Sequence, residues 1–449
     1  MPNANNHVKI TVPQAVGTIL DRLENSGHEA YVVGGCVRDS VMGLVPHDWD
    51  ICTSATPDQV EEAFKDVSVI DVGRKFGTVA VFSDGIYYEI TTFRADGRYL
   101  NNRKPENVSF VSSLADDLAR RDFTVNAMAY NDRTGLIDLF DGIGDIERKL
   151  IRCVGDPEER FNEDALRILR ALRFSSRLGF EIENETSIAI HDCSELLSNV
   201  SAERLQKELN GIILGKHCLP NLLEYSDVFS VIIPELEQCE GFDQKNRYHK
   251  YNVYDHMMYS VHYCDTDDLY VRLALFLHDI GKPLCYSEDE RGGHFYGHAD
   301  VCASIAKTVL SRLRYDAKTV ELVSTLIKYH SDDIRPTKKS VRKWLNLLGE
   351  DNFERLICLR AADHRAHATE YQDAMLEELR EVCIVRDEIL NEESCFTLRD
   401  LAINGSDLIE LGVPEGKDVG RLLNKALNAV IEEKVQNEHG AIIAYLLLN

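Results

Sequence analysis

The stretch YVVGGCVRDSVMGLVPHDWDI, residues 31–51, begins as a buried strand, turns at Gly34-Gly35 and ends on the pair Asp48 and Asp50. Side chains alternate along a strand, so the two aspartates are predicted to lie on one side of it. Carboxylates that close repel each other unless a cation lies between them, and Mg²⁺ binds carboxylate oxygens while keeping positions free for phosphate. The glycine turn admits a phosphate to the backbone, where Arg38 can bind it. The stretch therefore predicts a metal and nucleotide-phosphate site, against the simpler alternative of a surface Asp-x-Asp in a turn.

Charge and cysteine usage restrict the partners and the compartment. The 449 residues carry 50 Lys and Arg against 75 Asp and Glu, a formal net charge of -25. So acidic a chain repels nucleic acid on average, and an RNA ligand needs a local basic stripe such as the arginines between Arg94 and Arg177. The 12 cysteines include no CxxC pair, which is typical of reduced thiols in the cytoplasm. No apolar run reaches the roughly 20 residues of a membrane span and the N-terminus lacks a signal-peptide pattern, so we expect a cytoplasmic protein with no membrane partner.

Strand and helix patterns divide the chain into two parts. Up to about residue 140 short strands alternate with helices, and FGTVAVFSDGIYYEITTFR (76–94) alternates like a hairpin with its turn at Asp84-Gly85. After Asp156-Pro157 helix follows helix with almost no strand pattern, and EERFNEDALRILRALRFSSRLGF (158–180) is predicted as one helix. The predicted fold class is an α/β head with a mixed sheet, followed by an all-α body.

Four sequence blocks resemble a known family. GGCVRDSVMGLVPHDWDI (34–51) resembles the signature of the polymerase-β-type nucleotidyltransferases, in the class II CCA-adding tRNA nucleotidyltransferase and bacterial poly(A) polymerase family. RRDFTVNAMAY (120–130), EDALRILRALRF (163–174) and SAERLQKEL (201–209) resemble its ribose-binding, base-reading and helix-stabilising motifs, in its order and at its spacing. The resemblance implies an enzyme in which Asp48 and Asp50 are catalytic and hold Mg²⁺. It also implies that the nucleotide is bound by Gly35, Arg38, Arg121, Asp164, Arg167, Arg170 and Arg173.

The base-reading block has a physical interpretation of its own. Asp164 and Arg167 are three apart and would be neighbours on a helix face. A carboxylate only accepts hydrogen bonds and a guanidinium only donates them. Cytosine and adenine both present an amino donor beside a ring-nitrogen acceptor, which this pair matches. Uracil and guanine present the reverse, a carbonyl acceptor beside an N–H donor. The alternative is a surface salt bridge, and the resemblance favours base reading. Arg170 and Arg173 continue the spacing and are predicted to meet the triphosphate, although steps of three turn Arg173 nearly opposite Asp164.

Three further residues extend the predicted nucleotide site. By the resemblance Asp122, beside Arg121, holds the ribose or the triphosphate, and Asn126 assists. Glu89, on the strand pattern YYEITTF (87–93), is either a third acidic residue of the metal site or a plain strand-edge carboxylate. Both alternatives stay open at this point.

Two local stretches bear on the product. Phe76-Gly77-Thr78 resembles the CCA-adding version of its block. TTFRADGRYLNNRKPENVSF (91–110) resembles the flexible loop of enzymes that add the final A, with Arg94, Asp96, Tyr99 and Arg103 at its usual positions. We therefore expect addition of C, C and A to tRNA from CTP and ATP without a nucleic-acid template. A poly(A) polymerase of the same family remains the alternative.

A second set of residues resembles the HD phosphohydrolase family. Its sequence centre is LALFLHDIGKP (273–283). Imidazole and carboxylate ligands suit Mn, Fe, Ni or Zn better than Mg²⁺ alone. The metal ligands implied are His256, His278, Asp279, His298, His330 and Asp363, while His294, His364 and His367 are predicted to be bystanders. The alternatives are unrelated surface histidines, a folded but inactive HD domain, and a chain that is mainly an HD-type metal phosphohydrolase with a nucleotide-binding head; a non-catalytic RNA-binding module is a weaker idea.

The resemblance also implies a division of the chain into four parts. Residues 1–140 are the nucleotidyltransferase head, 141–230 a helical nucleotide-selecting and RNA-binding neck, 231–385 the HD metal-binding helical domain and 386–449 a helical tail. The tail from Phe396 resembles a segment that touches the tRNA elbow, with the basic Lys417, Arg421 and Lys425, or it is a plain helical dimer or cap element. The sequence does not predict the oligomeric state.

Overall fold

A computed structural model describes residues 8–96, 99–100, 104–105, 108–111, 113–290, 292–392 and 396–448. The chain forms two compact units, one ending at Pro234 and the other beginning at Glu235. The first contains a mixed sheet with helices, and the second is almost entirely helical. The prediction of an α/β head followed by a helical body is confirmed, while the finer division into four parts stays a prediction.

Seven strands of the first unit form its central sheet. The strands of this unit are β1 (Ala30–Val33), β2 (Ile51–Thr53), β3 (Val69–Gly73), β4 (Thr78–Ser83), β5 (Ile86–Thr92), β6 (Arg94–Asp96), β7 (Tyr99–Leu100), β8 (Lys104–Pro105), β9 (Val108–Phe110), β10 (Met128–Asn131), β11 (Gly135–Asp138), β12 (Leu150–Ile151) and β13 (Glu181–Ile182). The sheet order is β11-β10-β1-β2-β5-β4-β3, in which β2 and β5 run parallel and all other neighbours antiparallel. The predicted hairpin is β4–β5, and its turn residues Asp84 and Gly85 have φ of 50° and 88°, as a two-residue hairpin requires.

Helices pack against this sheet and continue beyond it. The helices of the first unit are α1 (Gln14–Asn25), α2 (Gly35–Val41), α3 (Pro57–Ala63), α4 (Leu114–Ala119), α5 (Gly142–Arg148), α6 (Pro157–Glu163), α7 (Leu166–Leu178), α8 (Asn184–Asp192), α9 (Ala202–Ile213), α10 (Leu219–Glu224) and α11 (Ser226–Ile232). α3 begins on a capping box between Thr56 and Gln59. Val32, Ile51 and Ile90 of the sheet pack with apolar residues of α1 and α3 in one fully buried core.

The helix predicted over residues 158–180 is interrupted at Asp164 and Ala165. α6 ends at Glu163 and α7 starts at Leu166, with Asp164 between them in an extended conformation. The Asp164 side chain accepts the Leu166 N–H at 3.2 Å, a local hydrogen bond that competes with helix continuation. Asp164 and Arg167 are therefore not on one helix face, and the turn of Arg173 away from Asp164, which assumed one helix, no longer follows.

The second unit is a set of packed helices. They are α12 (Val253–His262), α13 (Leu269–Leu277), α14 (His298–Arg312), α15 (Ala317–Tyr329), α16 (Lys338–Leu348), α17 (Glu350–Ala366), α18 (Thr369–Asn391), α19 (Gly405–Glu410), α20 (Lys417–Ile431) and α21 (His439–Leu448). Short 3-10 helices of the chain lie at Arg74–Phe76, Thr124–Asn126, Ser194–Asn199, Pro234–Cys239, Lys282–Cys285 and Leu398–Asp400. One hairpin, β14 (Ser287–Asp289) with β15 (Gly292–His294), was not predicted, because its glycine-rich second strand lacks an alternating pattern.

In the part of the chain described, no helix is both long enough and apolar enough to cross a membrane.

Helices α7 and α9 approach closely at a glycine. A side chain at Gly211 would meet the Arg173 Cδ at 2.4 Å, whereas a side chain at Gly17, also inside a helix, would meet nothing within 4 Å. We expect Gly211→Ala to lower the free energy of unfolding by about 1–3 kcal/mol through overpacking. Gly17→Ala should leave it unchanged or raise it by up to ~1 kcal/mol. Denaturant unfolding of both variants measures the difference, and equal effects would contradict the close packing.

Candidate functional site

The glycine turn and the two aspartates meet at the end of β1. Gly34 has a φ of 83°, where glycine is favoured, and a side chain there would lie 3.2 Å from the Arg121 Nη1. Asp48 and Asp50 come just before the first residue of β2. The Asp50 carbonyl accepts the Val33 N–H at 3.0 Å, which fixes the aspartate segment beside the turn. The structure thus brings together the parts of the predicted site that the opening stretch contains.

The charge of Asp48 affects the ionisation of Asp50. The pKa of the Asp50 carboxyl is raised because surrounding protein atoms remove part of its hydration; Arg121 opposes this rise and the like charge of Asp48 adds to it. Both residues keep solvent access, so their oxygens are free to coordinate an ion. Adjacent, exposed carboxylate oxygens are the donor set that a hard divalent cation prefers.

Strand register brings Glu89 to the same place. β2 and β5 are parallel, with Ile51 opposite Ile90, and both isoleucines are buried in the core. The residues one position earlier, Asp50 and Glu89, therefore lie side by side and face away from that core. Of the two interpretations that the sequence left open for Glu89, the register favours a third carboxylate beside the pair.

Three predicted phosphate-binding arginines surround one aromatic ring. The guanidinium carbons of Arg38, Arg170 and Arg173 lie 5.4, 5.3 and 4.4 Å from the centre of the Phe174 ring. Arg38 belongs to α2 and the other two to α7, so the contact joins the glycine turn to the helix that carries the base-reading block. Such a cluster of cations is suited to a triphosphate.

Buried polar groups hold these arginines in position. The Arg38 Nη1 donates to the Asn126 Oδ1 at 2.6 Å, and the Arg170 Nε and Nη2 donate to the Asp122 Oδ2 at 2.8 and 2.6 Å. Burial opposes ionisation of Asp122, but Arg170 outweighs it and lowers the pKa of Asp122 to about 2. Asp122 and Asn126, which the sequence assigned to the nucleotide, thus contact its predicted arginines directly.

The predicted base readers are each held by a residue of opposite charge. The Asp164 Oδ2 accepts from the Arg204 Nη2 at 2.7 Å. The Arg167 Nη1 donates to the Glu163 Oε2 at 2.6 Å, and its Nη2 donates to the Arg120 carbonyl at 2.9 Å. Sequence reasoning missed both partners, although both lie inside the quoted motifs. Arg204 is 40 residues from Asp164 on another helix, which spacing does not reveal, whereas the four-residue spacing of Glu163 and Arg167 was an available signal.

Other predicted residues are described in part. The Arg94 Nη1 donates to the Phe76 carbonyl at 2.7 Å, which links the predicted loop to the Phe-Gly-Thr block. Arg103 lies outside the described residues, and of Asp96 and Tyr99 only the backbone is described. Arg121 pairs with the buried Asp117 at 3.2 Å, a partner that the sequence analysis did not identify.

The six predicted metal ligands of the second unit come together at helix ends. Asp279 is their centre: its Oδ2 lies 3.6 and 3.3 Å from the Nε2 atoms of His256 and His278. Its Oδ1 lies 3.7 and 3.6 Å from the Nε2 atoms of His298 and His330. The sixth ligand, Asp363, has its Oδ1 2.8 Å from the His256 Nε2 and 3.6 Å from the His278 Nε2. α13, buried all round, delivers His278 and Asp279 into the interior.

Hydrogen bonds orient the imidazoles as metal ligands. The Nδ1 atoms of His278, His298 and His330 donate to backbone carbonyls at 2.7, 2.8 and 2.6 Å, which assigns the free lone pair to each Nε2. The Asp279 Oδ1 and the His278 Nε2 are buried without a hydrogen bond of acceptable geometry, and the Asp279 Oδ2 has only ion-pair contacts, among them the Lys282 Nζ at 2.7 Å. A buried polar atom without a partner is unfavourable, and a divalent cation held by these imidazoles and by Asp279 would supply the missing partner.

Three more residues border this cluster. The Lys282 Nζ lies 2.7 Å from the Asp279 Oδ2 and 3.3 Å from the His249 Nε2. Burial opposes ionisation of Asp279, but His278 and Lys282 outweigh it and hold its pKa well below the usual range. His367, predicted as a bystander, forms a group with His256 and Asp363 in which the potential ligand atoms lie within 4.8 Å of one another. His294 and His364 belong to no such group among the described residues. The Lys in HDIGK was the available signal for Lys282; His249 had none.

A cavity of about 750 Å³ adjoins the cluster. It is lined by Asn246, Arg247, Tyr248, His249, Lys282, Gly293, His294, Phe295, Tyr296 and His298. Cations beside aromatic rings suit a ligand with a phosphate group and a flat ring. The cavity therefore offers a substrate space next to the metal ligands.

Three family models match the chain. Residues 30–152 match the poly A polymerase head domain, 179–239 an RNA and SrmB-binding site of polymerase A, and 301–446 the tRNA nucleotidyltransferase domain 2. The first match contains the glycine turn and the aspartate pair. The nucleotidyltransferase resemblance predicted from the sequence is thus confirmed by models that cover both units.

Two relatives that align with nearly the whole chain are CCA-adding enzymes. A CCA-adding enzyme of Lactobacillus delbrueckii subsp. bulgaricus is 33% identical over 430 residues, 96% of this chain and 96% of the relative. One of Levilactobacillus brevis is 32% identical over 432 residues, 95% of each chain. Among solved structures, the Bacillus stearothermophilus CCA-adding enzyme in complex with CTP is 30% identical and covers 98% of each chain with a TM-score of 0.74. The Thermotoga maritima enzyme complexed with tRNA, 22% identical with a TM-score of 0.63 over 97% and 96% of the chains, shares the fold.

Proposed function

This chain belongs to the family of CCA-adding enzymes and is a nucleotidyltransferase, and we propose that it adds C, C and A to tRNA 3′ ends from CTP and ATP without a nucleic-acid template. The observation that supports this most directly is the meeting of Asp48 and Asp50 with the glycine turn and the arginines around Phe174. A poly(A) polymerase shares the head domain, but the full-length relatives are CCA-adding enzymes.

The chain's own groups divide the chemical work. Asp48 and Asp50, with Glu89 beside them, provide the oxygens for Mg²⁺, and bound divalent ions supply Lewis-acid activation of the tRNA 3′ hydroxyl and charge neutralisation on the triphosphate. Gly34-Gly35 keeps the backbone clear for the phosphates. Arg121 lies next to that turn, where it binds the anion.

The triphosphate and the base are bound by neighbouring parts of the neck. Arg38, Arg170 and Arg173 bind phosphate oxygens around Phe174. Asp164 accepts from the amino group and Arg167 donates to the ring nitrogen of cytosine or adenine. Uracil and guanine leave these groups unpaired, which costs a few kcal/mol in the transition state.

An incorporation assay tests the function. Protein, Mg²⁺ and a tRNA transcript that lacks its CCA end are incubated with each labelled nucleotide in turn. We expect labelled CTP to be incorporated at once and labelled ATP only after unlabelled CTP is supplied, while UTP and GTP remain unincorporated. A product with a long A tail from ATP alone would instead identify a poly(A) polymerase, and no incorporation would refute both activities.

A second activity is favoured by the cluster around Asp279. Its oriented imidazoles and the buried carboxylates of Asp279 and Asp363 would hold Mn, Fe, Ni or Zn. Such ions supply Lewis-acid catalysis of phosphate-ester hydrolysis. Lys282 and Arg247 in the adjoining cavity bind the phosphate.

The tail residues Lys417, Arg421 and Lys425 on α20 remain the proposed tRNA contact. The reduced cysteines support a cytoplasmic location.

A further inference from the structure

The two proposed base readers carry opposite charges only three residues apart. Asp164 and Arg167 are also joined through the backbone, because the Arg167 N–H donates to the Asp164 carbonyl at 2.9 Å. If their side chains paired with each other, the acceptor and the donors needed for a base would be used up. Selection of the base therefore needs something that draws the two side chains to different partners.

Arg204 supplies this for Asp164. Its Nη2 donates to the Asp164 Oδ2 at 2.7 Å, while the Asp164 Oδ1 accepts the Leu166 N–H at 3.2 Å. With one oxygen held by a charge and the other by the backbone, the carboxylate plane has a fixed direction. Glu163 engages Arg167 in a parallel way, at 2.6 Å.

The helix that carries Arg204 is itself fixed against α7. Arg204 lies in the first turn of α9, and about one turn later the Glu208 Oε2 accepts a hydrogen bond from the Arg173 Nε at 2.5 Å. The Arg173 stem also packs against Gly211, where no side chain fits. The position of Arg204 relative to Asp164 is therefore set by packing as well as by charge.

One donor of Arg204 is left over. Its Nη1 is buried and has no hydrogen-bond partner among the described residues. A buried, unpaired donor is unfavourable, and it is relieved when an acceptor arrives beside it. This donor lies on the same guanidinium that holds Asp164, so the acceptor that would pair with it comes with a ligand at the base-reading position.

We propose that Arg204 is a positioning residue for base selection: it directs Asp164 away from Arg167 and so sets the preference for cytosine and adenine over uracil and guanine. The proposal rests on the proposed CCA-adding function. Without Arg204, Asp164 is free to turn toward Arg167, and both readers lose their contact with the base. What remains of the site then binds nucleotides by triphosphate and shape alone.

The test compares kcat/KM for CTP, ATP, UTP and GTP in the full-length protein. Arg204→Met removes the charge and keeps the length of the side chain. We expect it to lower kcat/KM for CTP and ATP about 10- to 100-fold and to lower the ratio of correct to incorrect nucleotides at least about 10-fold, because each unpaired group costs on this scale. Arg204→Lys, which keeps a cation, should recover part of the ratio. Arg133→Met, which removes an arginine paired with Glu24 at 2.8 Å elsewhere in the first unit, should leave the ratio unchanged.

Two further comparisons keep the test decisive. In an Asp164→Asn background, Arg204→Met should cause no additional loss of selectivity, since its effect acts through Asp164. An equal fall for all four nucleotides, or an additive loss in the double variant, would assign Arg204 a purely structural role and overturn the proposal. If Arg204→Met does not fold, Arg204→Lys decides alone. A lowered ratio of kcat/KM for correct to incorrect nucleotides supports the proposal, and an unchanged ratio overturns it. Failure of the wild-type protein to extend tRNA would refute the proposed function instead.

Discussion

Asp50→Asn should lower incorporation of C and A into tRNA by about 1000-fold or more, equivalent to a loss of roughly 4 kcal/mol of transition-state stabilisation. Asparagine keeps the shape and the backbone contact to Val33 but removes the charge beside Asp48. Without that charge the site loses much of its attraction for a divalent cation, and the triphosphate keeps only its arginine contacts. Single-turnover incorporation with saturating tRNA and CTP measures the chemical step directly.

The matched control for this variant is Asp84→Asn. Asp84 lies on the β4–β5 turn of the same sheet with a φ of 50°, a conformation that asparagine adopts readily. It should retain full incorporation and the wild-type unfolding curve. The metal assignment is refuted if Asp50→Asn, folded as judged by circular dichroism, incorporates nucleotide at the rate of Asp84→Asn. A CTP titration at varied Mg²⁺ adds a second measure, since Asp50→Asn should need a higher ion concentration at each CTP level.

The head could be read from the sequence because its constraints are local. The Gly34 turn, the hairpin turn at Asp84-Gly85 and the capping box before α3 each need particular residue types for backbone reasons, so their signals lie within a few residues. The order and spacing of the four sequence blocks then indicated the nucleotidyltransferase family. The position of Glu89 beside Asp50 needed one more fact, the parallel register of two strands, which the strand pattern leaves open.

What the sequence could not supply was the set of partners from distant segments. The helix periodicity continues on both sides of Asp164, so nothing in the pattern showed that its side chain accepts the Leu166 N–H where the helix is interrupted. Arg204, which holds Asp164 from 40 residues further along the chain, is reached only through the packing of α9 beside α7. His367 was predicted to be a bystander, yet an isolated bridge pairs the backbones of residues 249 and 367, and the His367 side chain lies in one group with His256 and Asp363.

His278→Gln should remove the bound transition metal from the second unit while sparing CCA addition. Glutamine keeps most of the volume, but it removes the buried imidazole whose Nε2 lies 3.3 Å from the Asp279 Oδ2 and 3.6 Å from the Asp363 Oδ1. After loading with Mn or Zn and desalting, we expect the wild-type protein to retain bound metal and the variant to retain almost none, measured by elemental analysis. Hydrolysis of bis(p-nitrophenyl) phosphate should fall with the metal content.

The control residue is His262, an exposed histidine on α12, the helix that also carries His256. His262→Gln removes an imidazole from the same helix without touching Asp279, so it should keep both metal and hydrolysis. Chelation should lower the melting temperature of the wild-type protein and of His262→Gln, because ions that bind only the folded state stabilise it, and should hardly shift that of His278→Gln. Equal metal content in the two variants would remove the assignment of the cluster as a metal centre. Because Asp48 and Asp50 belong to the first unit and His278 to the second, incorporation and hydrolysis should be lost separately, and a variant that loses both would indicate general misfolding.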